Sequence, residues 1–125
     1  MSFSRIVFGA AAIYGLIVLL PLYFLETSIG SNSPPPITHP EYFYGFVGTT
    51  STMQLVYLAI AFDPTRFRPL MPVATLAKLS FFVPNLILFA LGRLPAASLA
   101  FSLVDLALGA LFLVAFFRTA KASEV

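Results

Sequence analysis

Four long apolar segments constrain this chain more than any other feature of its sequence. They cover residues 6–25, 44–62, 71–91 and 96–117, and each is close to the ~20 residues that a helix needs to cross a hydrocarbon core of ~30 Å. Only helices and closed barrels satisfy their backbone hydrogen bonds inside a bilayer. Because the segments are apolar on all sides and lack the alternation of barrel strands, the sequence predicts an all-α integral membrane protein with four helices.

The composition supports the same conclusion. The chain is 59% hydrophobic and 10% charged, whereas a soluble domain is typically about half apolar and about a quarter charged. A soluble domain this small could not bury so much apolar surface, so lipid must cover the outside. The length is right for one membrane domain over residues 1–125. The net charge of +2 is better explained by membrane topology than by nucleic-acid binding.

The distribution of basic residues predicts the orientation. Cytoplasmic loops are enriched in Lys and Arg, and the loop over residues 26–43 contains neither. If both termini are cytoplasmic, that loop is external, Arg93 is the one basic residue outside, and five lie inside: Arg5, Arg66, Arg68, Arg118 and Lys121.

The first segment is longer than the 7–15 residues of a signal-peptide core, so we expect it to be retained. Short connections predict an antiparallel four-helix bundle, with the second, third and fourth helices packed in sequence.

Each predicted helix carries a polar side chain close to its midpoint. These residues lie within roughly 6 Å of the expected midplane at a helical rise of ~1.5 Å per residue. They are Tyr14, Gln54, Lys78, Asn85 and Asp105. Two interpretations remain open for this cluster. The side chains could form hydrogen bonds that fix helix packing, or they could form a ligand-binding site, since ionisable residues at membrane depth favour function.

Asp105 is expected to point into the bundle. Ser98, Ser102, Asp105 and Gly109 share one helix face, and small residues let helices approach closely. Lys78 could form an ion pair with Asp105 or extend its ammonium group to the cytoplasmic surface. Side chains lean toward the N-terminus of their own helix, which directs these two apart over an axial offset of roughly 7 Å.

Asn85 is therefore the easier partner for Asp105, since both are expected on the outer side of the midplane. Whether Lys78 pairs or extends to the surface remains open from the sequence.

Several kinds of chemistry are excluded or disfavoured by composition. The absence of cysteine removes disulfides, thiolate metal sites and thiol catalysis. The lone histidine, His39, cannot form a multi-histidine metal centre within one copy of the chain. We expect no cofactor, no metal and no catalytic constellation. His39 and Glu41 lie in the predicted external loop, where a lone histidine is usually a plain loop residue and could also be sensitive to pH.

Three short sequence patterns resemble those of a known group of proteins. They are Tyr42-x-Tyr44-Gly45 at the start of the second helix, Asp63-Pro64-x-Arg66-x-Arg68-Pro69-Leu70 between the second and third helices, and Asp105 in the fourth. With the hydropathy pattern, they are similar to small bacterial four-helix membrane proteins, broadly the DoxX-like group. That resemblance implies association with membrane redox or thiol-stress partners as an accessory subunit. The chain has no cysteine of its own for thiol chemistry.

These observations favour a non-enzymatic, multi-pass protein of the cell inner (plasma) membrane. It is expected to be an accessory subunit or a binder of a small lipophilic ligand. The alternatives are a small transporter and an intramembrane enzyme, for example an isomerase using Asp105 as acid or base. The expected partners are the lipid bilayer and either another membrane protein or a second copy of the chain; no nucleic acid is expected.

Overall fold

The computed structural model describes residues 2–121, and within this range the chain is helical, without a β-strand. The helices are α1 (Phe3–Leu19), α2 (Glu26–Asn32), α3 (Pro40–Phe62), α4 (Met71–Ala90) and α5 (Ala96–Arg118). Two short 3-10 helices, Leu20–Phe24 and Arg68–Leu70, extend α1 and precede α4. With these extensions, the helices that include α1, α3, α4 and α5 are long and apolar enough to cross a membrane, which confirms the four long apolar helices predicted from the sequence.

The loop over residues 26–43 is more structured than expected. It contains α2, and α3 begins at Pro40 rather than at residue 44. Glu26 in the first turn of α2 interacts favourably with the helix dipole. The helix ends just before Ser33, because a residue that precedes proline is disfavoured in a helix. Pro40 in the first turn of α3 has no backbone N–H to leave unpaired.

The packing of the helices differs from the predicted order in one respect. Helix α1 packs on both α3 and α5, and α4 packs on α5. Although α3 and α4 are consecutive spanning helices and are both fully described, they do not pack closely on each other. Instead the rings of Phe46 on α3 and Phe81 on α4 stack across the gap, with centroids 5.9 Å apart. Because two aromatic side chains fill the space between the backbones, the helices stay apart.

The apolar core lies toward the N-terminal end of α1. Phe8 and Phe112 stack there with ring centroids 4.2 Å apart, and Tyr57 packs against both rings. Small residues from three helices fill the rest of the contact, and they let the backbones approach closely. They are Ala11, Ala12, Ala74 and Ala115. All four spanning helices therefore meet in this half of the bundle.

Polar contacts join the helix ends beside this core. The hydroxyl groups of Ser4 and Thr119 are hydrogen-bonded at 2.5 Å. Arg68 Nε donates to the carbonyl oxygens of Phe116 and Thr119 at 3.2 and 2.8 Å, and its guanidinium lies 3.9 Å from the Phe116 ring centroid. Arg68 thus binds the free carbonyls and negative dipole end of α5. This end of the bundle includes the start of α1, the start of α4 and the end of α5. We call it the basic end, because Arg68 lies there.

Replacing Phe8 with alanine tests the importance of this core. Phe8 is fully buried, and truncating a buried phenylalanine typically costs roughly 3–5 kcal/mol because it leaves a cavity. We expect Phe8→Ala to lower the unfolding temperature clearly in mild detergent. The matched control is Phe117→Ala, since Phe117 is 74% exposed and should leave the temperature nearly unchanged. Equal effects of the two substitutions would contradict this description of the core.

Candidate functional site

An ion pair between α4 and α5 is the main polar contact inside the bundle. Lys78 Nζ donates to Asp105 Oδ1 at 3.0 Å, and the two side chains are 9% and 19% exposed. Lys78 therefore does not extend to the surface, and the alternative left open by the sequence is decided in favour of the pair. Each charge satisfies the other where water is scarce and unpaired charges are costly.

Gly109 explains how Lys78 reaches its partner in spite of the opposite lean of the two side chains. A Cβ atom at Gly109 would lie 3.3 Å from Cβ of Lys78, so the stem of the lysine lies directly beside this glycine. Asp105 is one helical turn away along α5, about 6 Å at the usual helical rise. The four-carbon lysine stem covers this distance. The two residues are therefore offset along the helix axes, as expected, and the extended lysine spans the offset.

A second polar contact joins the same two helices farther from the basic end. Asn85 Nδ2 donates to Ser102 Oγ at 2.6 Å, and Ser102 donates to the carbonyl of Ser98 at 3.2 Å. The expectation that Asn85 would bind Asp105 is therefore wrong. Asn85 lies two turns beyond Lys78 on α4. At that height along the bundle, the residue of α5 that faces it is Ser102 rather than Asp105.

Gln54 is buried between α3 and α1. It is 1% exposed, and its Nε2 donates to the carbonyl of Thr50 at 2.9 Å. Its Oε1 has no hydrogen-bond partner within residues 2–121. A side chain at position 15 would overlap the Gln54 amide, so Gly15 is what allows the glutamine to lie against α1. In this position Gln54 contributes to helix packing.

The two tyrosines near the ion pair have different positions. Tyr14, which the sequence placed in the polar cluster, is 37% exposed and lies at the rim of a cavity. Tyr57 was not predicted as a site residue, yet it is buried and its ring centroid lies 5.5 Å from Lys78 Nζ. A cation at this range is attracted by the ring face. Its spacing from Gln54, three residues on along α3, was the signal that could have identified it.

These side chains surround a cavity of about 540 Å³, which we call the central cavity. It lies between α1, α3, α4 and α5, on the side of the core away from the basic end. Its walls are mostly apolar, and four of the five predicted site residues line it: Tyr14, Gln54, Lys78 and Asp105. Asn85 is absent from the lining. Phe46, Phe81 and Phe101 line the cavity and are also exposed, so the cavity reaches the outer surface of the bundle beside these rings.

Another group of polar residues lies at the end opposite the basic end and does not line the cavity. The hydroxyl of Tyr44 donates to Glu26 at 2.9 Å, and its ring stacks on that of Tyr23 at 6.1 Å. His39 and Glu41 approach each other at 3.3 Å on the exposed surface. Within residues 2–121, no cluster of three or more His, Cys, Asp and Glu residues could hold a metal ion.

Comparison with protein families, curated proteins and solved structures finds no match to this chain.

A double-mutant cycle tests the coupling of Lys78 and Asp105. Removing one partner of a buried ion pair typically costs roughly 3–5 kcal/mol, because the other charge remains buried and alone. We expect Lys78→Met and Asp105→Leu each to lower the unfolding temperature in detergent. The combined variant should be more stable than either single variant, since both charges are then gone.

Lys121→Met provides the control for this cycle, because Lys121 is exposed and its loss should have little effect. Additive losses in the combined variant would show that the two side chains do not interact.

Proposed function

We propose that this protein is a non-enzymatic membrane protein that binds a small lipophilic ligand in the central cavity. The observation that carries the proposal is an apolar cavity of about 540 Å³ lined by the Lys78–Asp105 pair. Ligand sites commonly measure about 300–1,000 Å³ and combine apolar walls with a few polar groups. In a membrane, such a cavity is open to molecules that dissolve in the bilayer.

The closed core favours binding over transport. Phe8, Tyr57 and Phe112 are fully or almost fully buried and pack together on the side of the cavity toward the basic end. A ligand passing through the bundle would have to displace all three rings. A ligand that enters and leaves past the exposed rings of Phe46 and Phe81 would leave this core intact.

The lining also favours binding over acid–base catalysis. Asp105 is the acidic residue of the cavity lining, and it is already held by Lys78 at 3.0 Å. An isomerase would need a proton donor or acceptor that is available to its substrate. An ion pair instead offers a fixed polar surface for recognition.

We further propose that the four spanning helices form an antiparallel bundle in the inner (plasma) membrane, with both termini cytoplasmic. Two contacts support the direction of α4 and α5, since Lys78 lies beside Gly109 while Asn85, later in α4, binds Ser102, which is earlier in α5. At the basic end, Arg68 lies against the end of α5. Cytoplasmic surfaces are the ones enriched in Arg and Lys.

Single cysteines can test this topology cleanly, because the natural chain has none. Ser31 in α2 and Thr65 after α3 are both exposed. In intact cells, a membrane-impermeant maleimide should label Ser31→Cys and should label Thr65→Cys only after permeabilisation. The reverse pattern would show that the basic end is external.

The ligand proposal is tested by filling the cavity. Ala77 lines it, and a tryptophan there would occupy much of the space. We expect wild-type protein purified in mild detergent to release a lipophilic compound into organic solvent, detected by mass spectrometry, and Ala77→Trp to release far less. Ala90→Trp is the control, since Ala90 is exposed on the same helix outside the lining. Identical extracts from all three proteins would contradict the proposal.

A further inference from the structure

The charges in the central cavity restrict which ligands it can hold. Lys78 and Asp105 are the charged residues of its lining, and they neutralise each other at 3.0 Å. An anionic ligand would add a second negative charge to the pair, and a cationic ligand would add a second positive charge. Either ligand leaves one charge without a counter-charge at membrane depth, which is costly. The site therefore favours an uncharged ligand.

The same pair has unused hydrogen-bonding capacity of both kinds. A lysine ammonium has three N–H donors and a carboxylate has two acceptor oxygens. One donor of Lys78 and one oxygen of Asp105 are used in their mutual contact. The second oxygen, Oδ2, takes no part in that contact; the Asp105 side chain is 19% exposed, and Asp105 lines the cavity. A ligand group that both donates and accepts would satisfy the two residues together.

A hydroxyl is the smallest group with this property, since it carries one donor and two acceptor lone pairs. The remaining lining suits an apolar body, because Val18, Met53, Phe46 and Phe81 are among the walls. Because Phe46 and Phe81 are also exposed, such a body reaches the lipid beside their rings. Gln54 adds no competing charge, and its Nε2 is already bound to Thr50.

We propose that the central cavity binds an uncharged lipophilic alcohol, whose hydroxyl accepts from Lys78 Nζ and donates to Asp105 Oδ2. This inference rests on the proposed function and adds the chemical class of the ligand. It distinguishes this site from a fatty-acid or lipophilic-amine site, which would present one unpaired charge.

A series of matched probes tests this choice. The probes are 1-tetradecanol, its methyl ether, tetradecanoic acid and tetradecylamine, offered at equal concentration to the full chain in lipid nanodiscs and measured by native mass spectrometry. The methyl ether can accept from Lys78 but cannot donate to Asp105, so it loses one hydrogen bond to a charged group. We therefore expect the alcohol to be retained about tenfold or more over its methyl ether, which cannot donate. We expect the acid and the amine to bind more weakly than the alcohol.

Two variants complete the test. Lys78→Met combined with Asp105→Leu removes both polar partners without leaving a charge, so the alcohol and its ether should then bind equally. Ala77→Trp should reduce the binding of every probe.

Equal binding of the alcohol and the ether by wild-type protein, or preference for the acid or amine, would overturn the alcohol assignment and leave the ligand-binding function standing. Failure of all four probes to bind wild-type protein would overturn both. The wild-type comparison is sufficient by itself if the combined variant does not fold.

Discussion

The structure depends on placing two opposite charges inside an apolar bundle. Lys78 and Asp105 would each be costly in hydrocarbon alone, and their 3.0 Å contact makes them tolerable. That contact requires α4 and α5 to approach closely, which Gly109 permits beside the lysine stem. Asn85 and Ser102 reinforce the same pairing two turns away. Helices α4 and α5 therefore form one closely packed unit, while α3 packs mainly on α1.

This arrangement divides the bundle into a closed half and an open half. Near the basic end, stacked aromatic rings and alanines close the space between all four spanning helices. In the other half, α3 remains tied to α1 while α4 remains tied to α5, and the central cavity lies between them. The ion pair lies where the two halves meet. A polar, charge-balanced surface at the inner end of an apolar cavity is well suited to recognise the polar head of a lipid-soluble molecule.

Hydropathy was sufficient to predict the spanning helices, because crossing a bilayer requires long apolar segments whatever their neighbours are. The position of each polar residue along its helix predicted a shared cluster, and four of the five residues line one cavity. Two features depended on tertiary contacts. The lean of helical side chains argued against the Lys78–Asp105 pair, but the glycine opposite the lysine changes the available space. The gap between α3 and α4 follows from which aromatic side chains face each other, and hydropathy carries no information about that.

A distance measurement between the two charged groups tests this description most directly. Lys78 and Lys121 are the lysines of the chain, and Asp63 and Asp105 are its aspartates, so selective labelling for solid-state NMR in lipid bilayers produces few signals. With ¹⁵N at lysine Nζ and ¹³C at aspartate Cγ, the ion pair predicts a Lys78–Asp105 distance of about 4 Å or less, the range of a salt bridge. No dipolar coupling between these two labels would show that the charges are apart and would contradict the account.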